Sequence, residues 1–184
     1  VTKCYSNNKF YSVTGKGYND LGEFVDNKNN QVNPQEEFPR MLQCAITCNN
    51  STETTGDPTE RALLFAAKKG KAEKIARKDE IPFDSDTKFM ATIHENFDYY
   101  KGAPEVILEM CSSIIIDNKK RRILPKDRKK ILEANEKMAG NALRVLALAF
   151  KQGNNIYFLG LMGMIDPPKE CVSESLKICE TAGI

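Results

Sequence analysis

A lysine that follows a short aromatic run is the first residue of this chain with a clear chemical use. Tyr99 and Tyr100 favour a β-strand, Lys101 ends it, and Gly102 breaks it before a helix that starts at Pro104. Such a strand would hold the stem of Lys101 and present its ammonium at the edge of the sheet, while Gly102 would let a ligand approach the backbone. The pattern predicts an anion site, although a lone lysine before a turn is more often a solvated surface charge.

A second candidate is the carboxylate of Glu60, in the opening turn of a predicted helix. Asp57 is a suitable N-cap, Pro58 fits the first helical position, and Glu60 at the third can reach back to the amide of the cap. Capping therefore explains Glu60 without a ligand. In a binding site the same carboxylate would accept a hydrogen bond from an exocyclic amine such as that of adenine, beside the free N–H groups of the helix start.

An aromatic residue and a lysine flank a predicted hairpin turn. Residues 84–87 are polar and separate predicted strands at 80–83 and 88–94, so Phe83 and Lys88 stand on either side of the turn. An exposed ring beside a cation would suit an adenine and its phosphates. The alternative is that Phe83 belongs to the core.

A single arginine interrupts an otherwise apolar predicted strand at 143–150. A charge there is costly unless it lies at the end of the strand or meets an anion. Arg144 is therefore either an end residue or a ligand contact.

Composition narrows the class of protein. With 184 residues and 41% hydrophobic residues, the chain can bury the core of one domain. The net charge is only +2, from 27 basic and 25 acidic side chains, so no global field favours nucleic acid or an anionic bilayer. The basic cluster at 119–122 is placed in a turn, and it lacks the interleaved aromatic residues of a nucleic-acid surface. No apolar run approaches the length of a membrane span.

The six cysteines show no metal-binding pattern. None forms a C-x-x-C pair, and His94 is the only histidine, without a partner set or a role that we can identify. We therefore predict reduced, mostly buried thiols and no metal site.

The remaining patterns alternate between helices and strands. Residues 26–35 are predicted as an exposed loop, Glu36 to Cys48 as one helix, and the Lys-rich stretch up to Lys78 as a solvated face after the helix at 58–70. Later helices are predicted at 104–110, 126–139 and 170–182, and strands at 9–14, 97–101, 114–116 and 156–165. Residues 166–169 form a stiff corner that could serve as a hinge between domains. Because the chain lacks an initiator methionine and stops after a helix, we expect it to be a piece of a larger protein.

Taken in order along the chain, five of these motifs resemble the nucleotide-binding domain of P-type cation-transporting ATPases. They are Gly-Asp-Pro-Thr-Glu at 56–60, Phe83 with Lys88, Lys-Gly-Ala-Pro-Glu at 101–105, Arg-Val-Leu-Ala at 144–147 and Asp-Pro-Pro-Lys at 166–169. Residues 11–18 and 22–24 are further similar to the calcium-pump branch, type 2A, although Asn19-Asp20 stands where a proline is usual.

The resemblance implies a role for each matching residue. Phe83 would stack on adenine and Glu60 would contact its amino edge. Lys88 and Lys101 would line the pocket, and Arg144 would approach the phosphates or ribose. The other implied positions are Leu146 near the base, Asp57, Thr59 and Gly102 flanking the site, and Asp166, Pro167 and Pro168 at the hinge. Ser85 stands where calcium pumps often have a basic residue, a departure that would weaken affinity on the phosphate side.

The resemblance also implies an α/β fold of the α+β type, a twisted, mostly antiparallel sheet flanked by helices. Residues 1–166 would form the nucleotide-binding domain, and 167–184 the hinge and first helix of a phosphorylation domain. In the parent pump, ATP would be held by its base and its γ-phosphoryl group delivered to an aspartate of that domain, where Mg²⁺ neutralises charge. The D-K-T-G-T sequence expected around that aspartate does not occur here. The fragment alone would therefore bind ATP without phosphorylating itself or pumping ions.

The implied partners are ATP and the phosphorylation and actuator domains of the pump. We expect no nucleic acid, no direct membrane contact and a monomeric fragment, as the cytoplasmic domain of an integral membrane protein. Two alternatives stay open: an interaction domain of the same fold that has lost ATP binding, and the ATP-binding domain of a sodium or proton pump.

Overall fold

The computed structural model describes residues 1–15, 17–165, 179 and 181. Eleven strands and five helices lie within these residues. The strands are β1 (Lys3–Ser6), β2 (Lys9–Val13), β3 (Phe24–Val25), β4 (Gln31–Val32), β5 (Asp79–Asp84), β6 (Phe89–Ile93), β7 (Asp98–Gly102), β8 (Ser113–Ile116), β9 (Lys119–Arg122), β10 (Arg144–Gln152) and β11 (Asn155–Met164). The helices are α1 (Pro34–Glu37), α2 (Pro39–Thr47), α3 (Pro58–Lys69), α4 (Pro104–Met110) and α5 (Pro125–Ala139).

All these strands join a single sheet. Its main path runs β4-β3-β2-β1-β11-β10-β7-β6-β5, and β8 branches from β11 and carries β9. The β8 contact with β11 is parallel, whereas the pairings along the main path and between β8 and β9 are antiparallel. The predicted fold class, a mostly antiparallel sheet with flanking helices, is confirmed.

Each face of the sheet has its own apolar core. On one face, α2 and α3 pack through residues such as Met41 and Leu63 onto Leu148 of β10. On the other face, α4 and α5 pack through Ile107 and Ile131. We refer to these as the α2–α3 face and the α4–α5 face.

Proline occupies the first position of every helix in the described part of the chain. These residues are Pro34, Pro39, Pro58, Pro104 and Pro125. The fixed φ of proline suits the first turn, where its missing N–H has no helical partner to lose. The predicted starts of α3, α4 and α5 are confirmed.

The predicted single helix from Glu36 to Cys48 is wrong. The chain forms α1 and α2, separated at Phe38, whose φ of −149° and ψ of 54° are not helical. Because a residue before proline is disfavoured in the helical region, Pro39 explains the break. The predicted loop at 26–35 likewise contains β4 and the start of α1.

The predicted turn at 119–122 is also wrong, because these residues form β9. The turn lies just before them, at Asp117 and Asn118, whose φ angles are 48° and 60°. Two successive left-handed residues are typical of a two-residue hairpin turn, which brings β9 back along β8.

The cysteines that the structure describes are free, and Cys4, Cys44, Cys48 and Cys111 are buried. Burial raises the pKa of the Cys4 and Cys111 thiols to about 12. Because the thiolate is the reactive form, these side chains act as core residues. Cys179 is exposed, and Cys171 lies outside the described residues.

The described ranges contain neither a metal-binding cluster nor a membrane-spanning helix. No group of histidine, cysteine or acidic side chains there could hold a metal ion. No helix there is long and apolar enough to cross a bilayer. The predicted hinge at 166–168 lies outside the described residues, as does the predicted helix at 170–182 apart from Cys179 and Thr181. The division at residue 166 therefore stays a prediction.

Candidate functional site

Lys101 lies in the interior of the sheet, so its predicted position at the sheet edge is wrong. Its strand β7 runs between β6 and β10, and Lys101 is opposite Met90 and Leu148. Both neighbours belong to the core of the α2–α3 face. Lys101 is only 5% exposed, and a cation at such a depth needs a partner.

The partner of Lys101 is Glu60, in the first turn of α3. Lys101 Nζ donates to Glu60 Oε1 at 2.6 Å, across 41 residues of sequence. Their side chains are 6% and 17% exposed, so this ion pair is largely shielded from water. Two residues that we predicted separately are thus brought into direct contact.

The other oxygen of Glu60 is held by the loop before α3. Oε2 accepts from the Asn50 N–H at 3.1 Å and from Ser51 Oγ at 3.3 Å. The predicted contact of Glu60 with the cap amide is therefore replaced by contacts with Lys101, Asn50 and Ser51. Asp57 alone caps the helix, accepting from the N–H groups of Thr59 at 2.8 Å and Glu60 at 3.2 Å.

The hydrogen-bonding capacity of this pair is only partly used. An ammonium has three donors, and within the described residues Lys101 donates to Glu60 alone. From the same set of residues, Lys101 is the only donor to Glu60 Oε1, so one lone pair of this oxygen also stays available. The pair can therefore receive both an acceptor, such as a phosphate oxygen, and a donor, such as an amine.

Two further cations contact the loop that holds Glu60, and the sequence analysis gave them no role in the site. Lys74 Nζ donates to the Asn49 carbonyl at 2.7 Å, and Arg77 Nη1 lies 2.7 Å from Glu80 Oε2. Burial lowers the pKa of Lys74, and the charge of Arg77 lowers it further. Lys74 and Arg77 are both exposed, as the predicted solvated face requires, but they also contact the segment beside Glu60. Both lie in an irregular segment, which has no periodicity from which to predict their positions.

Arg144 is the first residue of β10 and is exposed. Leu146 and Leu148 follow at alternate positions, and because Leu148 is opposite Lys101, all of them share the α2–α3 face. Leu146 is half-buried against that core. Of the two alternatives for Arg144, the structure shows the strand-end position, which is compatible with a ligand contact.

Arg144 also acts on the N-terminus of α3, since its positive charge contributes to lowering the pKa of Asp57. Burial tends to raise the pKa of Asp57, but hydrogen bonds from the Thr59 hydroxyl and from the amides of Thr59 and Glu60 lower it, as does Arg144. The net effect is a lowered pKa, which keeps the cap ionised. Asp57, Thr59 and Arg144 thus gather at the end of α3 that holds Glu60.

Phe83 is not a core residue. It lies on the edge strand β5, and its side chain is 62% exposed. Within the described residues Phe83 makes no ring contact, so the ring is accessible to a planar ligand. The predicted hairpin is confirmed, with its turn at 85–88 rather than 84–87 because Asp84 Oδ1 accepts from the N–H groups of Asp86 and Thr87.

Lys88 is held beside Gly102 through its backbone. Its carbonyl accepts from the Ala103 N–H at 2.9 Å, and its side chain is exposed. A Cβ atom at Gly102 would lie 2.4 Å from the Lys88 carbonyl oxygen and 2.7 Å from Phe89 Cβ. The space beside the Gly102 backbone is therefore filled by Lys88 and Phe89 and is not open to a ligand.

The structure thus assembles most of the predicted site and leaves one part separate. Glu60 contacts Lys101, and both share a face with Leu146 and Arg144. Lys88 adjoins the end of β7. Among the residues that the structure describes, the Phe83 side chain makes no hydrogen bond and no ring contact with any of these side chains.

Comparison with known proteins gives the family. Residues 37–171 match the family described as P-type ATPase, cytoplasmic domain N. Over 78% of its length the chain is 41% identical to calcium-transporting ATPase 1 of Bacillus cereus. Over its full length it is 36% identical to the cation-transporting ATPase pma1 of Synechocystis and 30% identical to the human calcium-transporting ATPase type 2C member 1.

The chain covers 19% of the Bacillus relative, 24% of the Synechocystis relative and 22% of the human one. It corresponds to one domain of these longer proteins. The resemblance to P-type cation-transporting ATPases is confirmed, and calcium-transporting ATPases are among the relatives. This chain therefore belongs to the P-type ATPase family, as its cytoplasmic domain N.

Proposed function

We propose that this domain binds ATP at the end of the α2–α3 face where Glu60 and Lys101 meet. The observation that carries the proposal is the shielded ion pair between these residues, which keeps unused donors on Lys101 and an unused lone pair on Glu60 Oε1. A nucleotide supplies matching groups, an exocyclic amine and phosphate oxygens, in one molecule.

Each surrounding residue has a role in this proposal. The exposed ring of Phe83 stacks on adenine, and Leu146 provides an apolar wall near the base. Lys88, Lys101 and Arg144 supply positive charge toward the phosphates and ribose. Asp57 and Thr59 keep the first turn of α3, and so Glu60, in position.

In the parent protein, we propose that the bound ATP is presented to a phosphorylation domain. The γ-phosphoryl group would be transferred to an aspartate of that domain. Mg²⁺ would supply charge neutralisation at the phosphates, mainly from ligands of the phosphorylation domain. The actuator domain would be the third partner.

We further propose calcium as the ion of the parent pump. Support comes from the names of the Bacillus and human relatives, which are calcium-transporting, whereas the name of the Synechocystis relative specifies only a cation. A pump for sodium or protons is the alternative. Transport by the full-length parent in sealed vesicles, tested with each ion, would separate the two.

The test of ATP binding is a titration of the 184-residue chain followed by two-dimensional ¹H–¹⁵N NMR, with and without Mg²⁺. We expect saturable shifts at Glu60, Phe83, Lys88, Lys101 and Arg144. Phe83→Ala should weaken binding about tenfold, the size expected for one stacked base. Lys28→Ala, on an exposed loop, is the matched control and should leave binding unchanged.

Lys101→Ala should abolish the ATP-dependent shifts. This variant also leaves the Glu60 carboxylate without its cation, which can destabilise the fold. The double variant Glu60→Gln with Lys101→Met removes both charges with similar side-chain volumes and separates the two effects. A folded double variant that binds ATP as tightly as the parent chain would refute this site. If millimolar ATP causes no NMR shift in the unsubstituted 184-residue chain, an interaction domain that has lost nucleotide binding would be favoured instead.

A further inference from the structure

Positive charge is concentrated in one short part of this chain. Residues 119–130 carry eight basic side chains and one acidic one, a net charge of +7 in a chain whose total is +2. All other residues together therefore carry −5. The segment comprises β9 and the first turns of α5, and it contains none of the residues of the candidate ATP site.

Part of this charge serves the fold. Arg121 forms two hydrogen bonds with the buried Asp127, at 2.6 and 2.9 Å. Arg128 donates to the carbonyls of Leu108 and Cys111, both at 2.6 Å. Lys120 lies over the ring of Tyr157 at 5.1 Å.

Four other basic side chains of this segment make no such contacts within the described residues. Their side chains are exposed and make no ion pair or hydrogen bond with any residue that the structure describes. These residues are Lys119, Arg122, Lys126 and Lys130. Lys126 and Lys130 are four positions apart on α5 and therefore lie on the same side of the helix.

The placement of these charges is unfavourable for the helix itself. The first turn of a helix carries partial positive charge, so Lys126 is unfavourable there, and Lys130 repels it from four positions further along. Only Asp127 opposes them in the first turn. The stability of α5 therefore does not explain why Lys126 and Lys130 are basic.

The outer side of the strand next to these cations has no strand partner among the described residues, although the Arg122 carbonyl there accepts from Arg121 Nη1 at 3.0 Å. Among the strands of the described residues, β9 pairs only with β8. The Ile123 N–H donates to the Ser112 carbonyl, and because inward and outward bonds alternate along an antiparallel pair, the N–H groups of Lys120 and Arg122 point away from β8. An outer row of backbone donors thus lies beside exposed positive side chains.

We propose that β9 and the first turns of α5, here called the basic edge, bind an acidic, extended segment of polypeptide as an added strand. Backbone pairing to β9 would position the segment, and Lys119, Arg122, Lys126 and Lys130 would meet its carboxylates. The free backbone edge favours a polypeptide over a lipid surface, since headgroups form no strand. Nucleic acid is disfavoured because residues 119–130 contain no aromatic side chain on which a base could stack.

The test uses two labelled probes, a twelve-residue Glu-Thr repeat and a Glu-Pro repeat of the same length and charge. Proline lacks the N–H that an added strand needs, so the second probe reports charge alone. Fluorescence anisotropy at low salt should show saturable binding of the Glu-Thr probe, at least fivefold weaker binding of the Glu-Pro probe, and loss of affinity as salt rises.

Charge-reversal variants test the surface. Arg122→Glu with Lys126→Glu should weaken binding of the Glu-Thr probe at least tenfold. The control is Lys28→Glu with Lys71→Glu, two exposed lysines outside the basic edge, which makes the same change in net charge. It should alter binding less than twofold. Neither pair touches the candidate ATP site, so ATP titrations of both variants should match the parent chain.

Amide hydrogen exchange tests the added strand directly. The N–H groups of Lys120 and Arg122 should exchange more slowly when the Glu-Thr probe is bound. Equal binding of the Glu-Pro probe, unchanged exchange at these two amides, or preference for phosphatidylserine vesicles or an RNA oligomer over the peptide would each overturn the proposal. Failure of the Glu-Thr probe to bind would show that the charges only protect an exposed strand edge.

Discussion

Two ion pairs of this domain place a shielded carboxylate against a basic side chain, and they differ in how fully the partners are used. Asp127 Oδ2 accepts from Arg121 at 2.6 Å and from the Leu124 N–H at 2.9 Å, while Oδ1 accepts from Arg121 at 2.9 Å. Its carboxylate caps α5, and its partner is six residues away in sequence. Glu60 and Lys101 come from distant elements, and the buried ammonium has one acceptor among the described residues.

The difference suggests how a structural pair can be told from a binding pair. The Asp127 carboxylate accepts two hydrogen bonds from the Arg121 guanidinium and one from a backbone amide, so it has little remaining capacity to bind a ligand. At Lys101, a buried cation has been desolvated with most of its donors unused, a cost that an incoming anion would relieve. We therefore expect the Asp127 pair to control stability alone, and the Glu60 pair to control both stability and binding.

The largest expected effect is that of Lys101→Ala on stability. It leaves a largely shielded carboxylate without its cation, and we expect a loss of about 3 kcal/mol in the free energy of unfolding. Urea denaturation followed by circular dichroism measures it. The double variant Glu60→Gln with Lys101→Met should recover most of the loss. If the double variant is as unstable as Lys101→Ala, the unpaired charge of Glu60 is not the cause of the instability.

Asp127→Ala should cost about 2 kcal/mol, because it removes both the α5 cap and the contacts with Arg121. Arg121 is 38% exposed and can turn to water, which limits the loss. The same urea experiment applies. ATP binding should not change, and a weakened ATP titration in a folded Asp127→Ala variant would contradict the distinction between the two pairs.

Acid should weaken the Asp127 pair in a defined pH window. The hydrogen bonds from Arg121, the largest cause, lower the pKa of Asp127 to about 2 from an ordinary value of 3.8. Since the folded-state pKa is the lower one, this stabilisation is present above about pH 4 and is lost as pH falls toward 2. We expect about 1 to 2 kcal/mol, reduced by the exposure of Arg121. Comparing the pH dependence of the unfolding free energy with that of Asp127→Asn would isolate this contribution, which should be missing from the variant.

The smallest effect on stability is expected for Phe83→Ala. The ring is 62% exposed, so its removal should change the free energy of unfolding by less than about 0.5 kcal/mol. Its effect on ATP binding should nevertheless be about tenfold. A large loss of stability would mean that Phe83 packs against the protein in solution, and the stacking role would have to be abandoned.

Local chemistry made several elements predictable. Proline at the first position predicted the starts of α3, α4 and α5, and Asp57 was a recognisable cap for α3. The missed elements were those in which one residue overrode a longer pattern. Pro39 interrupts a helix whose apolar spacing is otherwise regular. The left-handed residues Asp117 and Asn118 form the hairpin turn before residue 119, so residues 119–122 are free to form strand β9.

The candidate site was predictable in its members but not in its contacts. The motifs around Glu60, Phe83, Lys101 and Arg144 are short and local, so they can be found by inspection. The sequence alone could not show that Lys101 is buried, because burial depends on which strands lie beside β7. The sequence analysis did not predict that Lys74 and Arg77 lie at the site, because only the packing of an irregular segment brings them to Asn49 and Asn50, beside Glu60.

The sequence by itself determined the family of this protein, since five motifs in order are enough to identify a P-type ATPase nucleotide-binding domain. It also determined the local starts of helices, which depend on a few adjacent residues. Only the tertiary structure decided that Glu60 and Lys101 are partners and that Phe83 is exposed. It also decided that four cations near β9 make no ion pair or hydrogen bond within the described part of the chain. The physical reason is that burial and charge pairing depend on neighbours that are distant in the chain and become adjacent only when the sheet is assembled.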